Sequence, residues 1–170
     1  MQKQLSYYEC LKNKKSIKNN MIFVLDNLSF QENIGSAFRL ADCFNIDEII
    51  IISKTINFKK IEKTARGCNK FIKYTLVETP QEALNIIKEY NYTPFNVEIT
   101  SQSVPLREID FTKHKGVALI VGNEQMGVSE EFLNKVENSI HIEMYGNNSS
   151  INVATSLAIV AYHVSESKNY

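Results

Sequence analysis

The sequence predicts an α/β protein: a mostly parallel sheet with helices on both faces. Two observations carry this. Strand-like apolar runs alternate with helix-like segments from about residue 21 to residue 164, the order in which helical crossovers lay parallel strands side by side. The composition, 44% hydrophobic and 22% charged over 170 residues, suits one core, and no internal repeat, low-complexity tract or Pro/Gly-rich linker divides the chain.

Residues 21–25 read as the first strand. Residues 33–45 follow as a helix, because Ile34, Ala37, Phe38, Ala41 and Phe44 fall on one stripe at helical spacing, with Arg39 off it. Residues 48–52 and 71–77 read as the second and third strands, and 80–90 as a helix. Residues 95–99 and 117–121 read as buried strands, 129–136 as a short helix and 139–143 as the last strand. Residues 150–164 close the chain as a helix apolar nearly all round. Such a helix is buried on several sides, here by its own domain and by a second subunit, so a homodimer is expected. Residues 1–20 are expected to form a basic arm or short helix ahead of a single domain over 21–170.

Several classes of function are disfavoured. No apolar run approaches the ~20 residues of a membrane span, and the first residues lack a secretory signal, so a cytoplasmic protein is expected. Cys10, Cys43 and Cys68 form an odd set without a C-x-x-C pair, which offers neither a disulfide framework nor a familiar metal site. The net charge is zero but unevenly spread. Residues 1–20 carry +4 and residues 54–73 carry +6, while residues 74–170 carry −6. The two basic stretches permit an RNA footprint.

Ligands of open α/β sheets bind beyond the carboxyl ends of the strands, so three post-strand loops matter most. The first runs from Asp26 into a helix that carries Asn33, Gly35 and Arg39. By themselves, Asn33 reads equally as a helix N-cap and Arg39 as a surface partner of Asp42. The second is Gly122-Asn123-Glu124-Gln125-Met126-Gly127. It is no phosphate-binding loop, because Val128 stands where that motif needs its lysine, and the absence of any G-x-G counts against a dinucleotide site. The third runs from Met144 to Ala154. Ser149 or Ser150 reads as the N-cap of the last helix, and Asn152 as an amide inside its apolar first turn that must find partners.

Together these segments resemble the SpoU family of RNA 2'-O-ribose methyltransferases, within the trefoil-knotted methyltransferase superfamily. The first motif of that family resembles Asn33-Ile34-Gly35-Ser36-Ala37-Phe38-Arg39 and the second Val121-Gly122-Asn123-Glu124-Gln125-Met126-Gly127. The third resembles Ile142-Glu143-Met144 followed by Ser149-Ser150-Ile151-Asn152-Val153-Ala154, and Lys63-Thr64-Ala65-Arg66-Gly67-Cys68 is similar to a further family segment. Asn45 stands where the family often has glycine, and Glu143 where proline is common.

The resemblance implies a deep carboxyl-terminal trefoil knot, a homodimer, no metal, and S-adenosylmethionine as cofactor. It places the cofactor near Thr100, Gly122, Asn123, Glu124, Gly127, Ile142, Met144, Ser150, Ile151 and Ala154. It makes Arg39 the principal catalytic residue, with Asn33, Glu124, Ser150 and Asn152 shaping the acceptor pocket or fixing the arginine. Glu124 reads equally as the carboxylate that accepts the proton and as a tie that orders its own glycine-bounded loop. Arginine stays protonated, so Arg39 suits holding an RNA phosphate better than removing a proton. Lys12, Lys14, Lys15, Lys63 and Arg66 are the further candidates for RNA contact. The substrate class is tRNA or rRNA, with tRNA favoured by the small size of the chain. The competing readings are a catalytically silent knotted RNA-binding protein and a base-methylating relative of the same fold.

Overall fold

The computed structural model describes residues 3–12 and 17–168. Its elements in order are α1 (Tyr7–Lys12), β1 (Met21–Asp26), α2 (Gln31–Phe44), β2 (Glu48–Ile52), α3 (Phe58–Ala65), β3 (Tyr74–Val77), α4 (Pro80–Tyr90), β4 (Thr93–Val97), β5 (Val104–Pro105), β6 (Val117–Val121), α5 (Glu130–Lys135), β7 (Ser139–His141) and α6 (Val153–Lys168). The strands form one seven-stranded sheet in the order β3-β2-β1-β6-β4-β7-β5, and every pairing in it is parallel.

A strand buried on both faces sends alternate side chains into two cores. In β1, Met21, Phe23 and Leu25 join the core under α2, α3 and α6, whereas Ile22 and Val24 join the core under α4 and α5. Helices therefore cover both faces, as the alternation of apolar runs predicts. The α2 stripe lies against the sheet with Ile34, Ala37, Phe38 and Ala41 buried. Gly35 lets α3 come close, because a Cβ there would stand 2.7 Å from the Thr64 Cβ and 2.8 Å from the Ile61 carbonyl.

Several boundaries differ from the sequence reading, each for a local reason. β4 starts at Thr93 and contains Pro94. Asn96 and Glu98 donate toward β7, to the Asn138 and Ile140 carbonyls, so Pro94 faces that side below the start of β7, where its missing N–H costs no ladder bond. α3 has no counterpart in the sequence reading, since only Ile61 and Ala65 of its residues are buried, too faint a stripe. α6 starts at Val153, three residues after the expected start, because its cap is Asn152.

The segment before β1 is anchored at the amino ends of the strands. Asn19 is buried, its amide donating to the Phe44 carbonyl at 2.6 Å, and Lys18 pairs with Asp47 at 2.8 Å. Beside it, buried Glu48 accepts from Lys73, Tyr90 and Thr75, a polar cluster that closes this end of the sheet.

Candidate active site

At the other end of the sheet, the loops leaving β1, β4, β6 and β7 converge. The loop after β6 is a tight turn closed by paired backbone bonds of 2.9 Å between Asn123 and Gly127. The Asn123 side chain accepts from the Gln125 and Met126 N–H groups inside the turn. Both bounding residues have to be glycine. A Cβ on Gly122 would run into the Gly127 carbonyl and the Val128 nitrogen, and Gly127 has a φ of +71° while its bare Cα leaves room for the Glu98 carboxylate.

From this turn, side chains reach across to the loop after β1. Asn123 donates to the Asn27 carbonyl at 2.7 Å and the Ser29 hydroxyl at 2.8 Å. Glu124 accepts from the Ser29 N–H at 2.9 Å, the Phe30 N–H at 3.2 Å and the Asn33 amide at 2.7 Å. Asn33 in turn accepts from the Asn152 amide at 3.1 Å. One carboxylate and two amides thus tie the start of α2 to the loops after β6 and before α6, 91 and 119 residues further along the chain. The Glu124 charge also sits at the start of α2, where unpaired N–H groups favour an anion and Phe30 supplies no side-chain cap. Burial by itself would raise the Glu124 pKa, but the hydrogen bonds from Asn33, Ser29 and Phe30 outweigh it and hold the group below the usual carboxylate range.

Two readings of the sequence change here. Asn33 is inside α2 rather than its N-cap, so its amide is free to bridge Glu124 and Asn152. Asn152 is exposed rather than buried in a helical turn. It caps α6 by accepting from the Ala154 and Thr155 N–H groups, a role the sequence reading gave to Ser149 or Ser150.

These loops enclose a cleft of about 570 Å³, within the usual range for a cofactor site. Of the residues expected to hold the cofactor, Gly122, Asn123, Glu124, Gly127, Ile142, Met144, Ser150 and Ile151 line it, as do Asn33 and Asn152. Thr100 and Ala154 do not line it. Thr100 turns into its own loop, bonded through main-chain groups to the Ser103 hydroxyl, and the Ala154 N–H is used by the α6 cap.

Glu98 and His141 line the cleft and are absent from the sequence reading. A strand assigned through residue 99 hides Glu98, which is the first residue beyond the observed end of β4 and accepts from the Val128 N–H at 3.2 Å. The His141 ring meets the Ser103 hydroxyl at 3.0 Å.

Charge divides the site in two. Among the described residues the cleft is lined by two carboxylates, Glu98 and Glu124, and by no lysine or arginine. Arg39 does not line it. It stands six residues beyond Asn33 along α2, roughly 9 Å by helical rise, in a second cavity of about 510 Å³ shared with Glu32, Lys60, Lys63, Thr64 and Arg66. Arg39 is exposed, and among the described residues it forms neither the expected pair with Asp42 nor any other ion pair. Lys12 is exposed at the end of α1, and Lys14 and Lys15 lie outside the described residues. The arm joins the sheet where Lys18 meets Asp47, and β1 separates that point from the cleft by roughly 20 Å.

Both departures from the resembled pattern have a structural answer. Asn45 ends α2 in the left-handed conformation, φ 48°, that glycine usually adopts there. Glu143 forms an ion pair with Arg107, which fixes the strand exit by charge. Among the described residues no group of histidines, cysteines or carboxylates could hold a metal, and no helix is long and apolar enough to cross a membrane.

A cleft of amides, glycines and carboxylates thus lies at the carboxyl ends of parallel strands, beside a second cavity lined by Arg39, Lys60, Lys63 and Arg66 together with Glu32. The chain matches the model of the SpoU rRNA Methylase family over residues 20–162 and belongs to that family. It is 26% identical over 143 residues to the tRNA (guanosine(18)-2'-O)-methyltransferase of Thermus thermophilus, covering 84% of this chain and 73% of that one. The crystal structure of the Aquifex aeolicus TrmH/SpoU tRNA modifying enzyme superposes with a TM-score of 0.77 at 26% identity, over 89% of this chain and 76% of that one. The fold is shared as well with an AdoMet-bound rRNA methyltransferase from Sinorhizobium meliloti, at a TM-score of 0.80 and 22% identity over 92% of this chain and 59% of that one.

Proposed function

We propose that this chain transfers a methyl group from S-adenosylmethionine to a ribose 2'-hydroxyl of tRNA or rRNA, with tRNA as the first substrate to test. The observation that carries the reading is the division of charge across α2. S-adenosylmethionine bears a sulfonium and an ammonium against one carboxylate and has no phosphate. A cleft with Glu98 and Glu124 and no lysine or arginine suits that net positive charge and disfavours a nucleotide phosphate. The cations needed for RNA phosphates gather next door around Arg39. Gly122, Gly127, Ile142 and Ile151 would hold the cofactor, and Ser150, Met144 and Asn123 would border it.

The cofactor supplies a methyl group already activated on sulfur, so the protein has chiefly to position the acceptor hydroxyl. Asn33, Asn152 and Glu124 do this through the loops that they tie together. Arg39, permanently charged and unpaired, holds a phosphate of the RNA and so aims the ribose. We read Glu124 as architecture rather than as the group that removes the proton, a reading supported by the three donors it already accepts from.

A homodimer belongs to this reading. α6 buries Leu157, Val160, Ala161 and Val164 in its own domain yet leaves Tyr162 59% and Ile159 40% exposed. A second copy seated there would cover them, and α2, packed beside α6, would bring Arg39 close to the partner's cleft. A trefoil knot also belongs to it, supported by a sheet in which β6 enters between β1 and β4, and β7 between β4 and β5.

Incubation of the purified chain with cofactor and bulk tRNA or rRNA, followed by nucleoside mass spectrometry, should yield 2'-O-methylnucleosides. Arg39→Ala should abolish them while cofactor affinity stays within a few-fold. Methylation on a base nitrogen, or none with either RNA, would overturn the reading.

A further inference from the structure

We propose that α3, the turn that follows it and the free edge of β3 form a platform for a single strand of RNA, with Phe71 stacking on an unpaired base. The inference rests on the reading of this chain as an RNA methyltransferase and adds where the body of the RNA lies.

The cations of this face are unspent. Lys60, Lys63, Arg66 and Lys70 are exposed, and among the described residues none of them forms an ion pair. Three of them line the Arg39 cavity. Against Glu62 on α3 and Glu32 in the cavity these cations still leave a net positive face, and cations that stay unpaired while nearby Lys73 is taken up by Glu48 repel one another unless an anion lies across them.

The apolar residues beside them are equally unspent. Among the described residues β3 pairs only with β2 and is therefore an edge strand. Phe71 directly follows the 3-10 turn of Cys68–Lys70, its N–H bonded to the Cys68 carbonyl at 3.2 Å, so its backbone is held while the residue is 67% exposed. Tyr74, braced edge-on by Phe38 with ring centroids 5.4 Å apart, and Leu76 are also exposed along the same strand. Single exposed apolar residues are ordinary, but an exposed aromatic on a held backbone beside unpaired cations is what binds single strands: phosphates along the cations, a base on the ring. The same edge also has the free backbone groups that could take a strand from a protein, and the charge is what favours RNA.

The chain contains no tryptophan, so Phe71→Trp installs a single reporter. Titration with a twelve-residue oligoadenylate, or with bulk tRNA, should quench its emission, whereas inorganic polyphosphate should not. In parallel, Lys60→Gln, Lys63→Gln and Arg66→Gln combined should lower the slope of log affinity against log salt by about 2, at roughly 0.7 per lost phosphate contact on single strands. Phe71→Leu should weaken binding about tenfold or more at fixed salt and leave that slope alone. Cofactor affinity should be the same in all variants. Unchanged emission on an RNA-saturated protein, with the slope intact, would overturn the platform and leave the β3 edge to a protein partner. Methyl transfer by the unsubstituted chain separates the two readings: binding that follows this pattern without 2'-O-methylation would keep the platform and sink the methyltransferase reading.

Discussion

Glu124→Gln tests whether the carboxylate is a tie or a base. The substitution keeps the size and one acceptor oxygen, but its NH₂ group must face one of three donors now aimed at the carboxylate: the Ser29 and Phe30 N–H groups or the Asn33 amide. Bonds to a charged acceptor contribute about 1.5–3 kcal/mol each when buried. The site is only partly buried and water can replace part of the loss, so a net cost of about 2 kcal/mol is expected. For a chain of this size that lowers the melting temperature by roughly 4–8 °C.

The pH dependence gives the sign. The Glu124 pKa is lowered in the fold, so its contribution is fully present above the unfolded carboxylate pKa and is lost as pH falls through the lower folded value. The gap in melting temperature between the unsubstituted chain and Glu124→Gln should therefore be largest at neutral pH and close under acid. Thermal scans across pH would read it, and the shape of the pH–rate profile for methyl transfer should stay the same in the variant. An unaltered melting temperature, with turnover down by roughly a hundredfold or more and the acid limb of the profile gone, would refute the reasoning and make Glu124 the general base.

Further outcomes follow from the same geometry. Asn152→Ser should restore most of the α6 cap that Asn152→Ala loses, about 1 kcal/mol, yet both should impair methyl transfer because neither reaches Asn33; full activity in the serine variant would remove Asn152 from the site. Gly35→Ala should cost about 1–3 kcal/mol by forcing α3 off α2, and a thermal scan equal to that of the unsubstituted chain would show that the helices yield freely. If the chain forms the dimer proposed above, Ile159→Glu with Tyr162→Glu should leave a monomer by light scattering, whereas dimers persisting in the variant would move the interface off α6.

The parts of the fold legible in the sequence are those whose apolar pattern is set by burial on both sides. β2, β6 and α4 fall where the pattern puts them, because each is bounded by polar or turn-forming residues and packed along its length. α3 and β5 were illegible for the opposite reason, having two buried residues in the one case and a length of two in the other. The site was legible as motifs but not as bonds. Asn33, Glu124 and Asn152 are each ambiguous by themselves, and only the fold brings them into one chain of hydrogen bonds. Glu98 escaped notice because a two-residue error in a strand end moves a side chain from a ladder to a cleft.

The strand order has a consequence for how the molecule assembles. β6 supplies the middle of the sheet, between β1 and β4, yet it is made after both, and it pairs Met21 with Val117, 96 positions later. Until it arrives, β1 and β4 each carry an unpaired edge, and the loop that must close is long. Folding that waits on so late an insertion is expected to be slow. Trimming Ile120 to valine should slow refolding, while trimming Leu76 at the sheet's edge should act mainly on unfolding, a contrast that stopped-flow traces of the two variants would resolve.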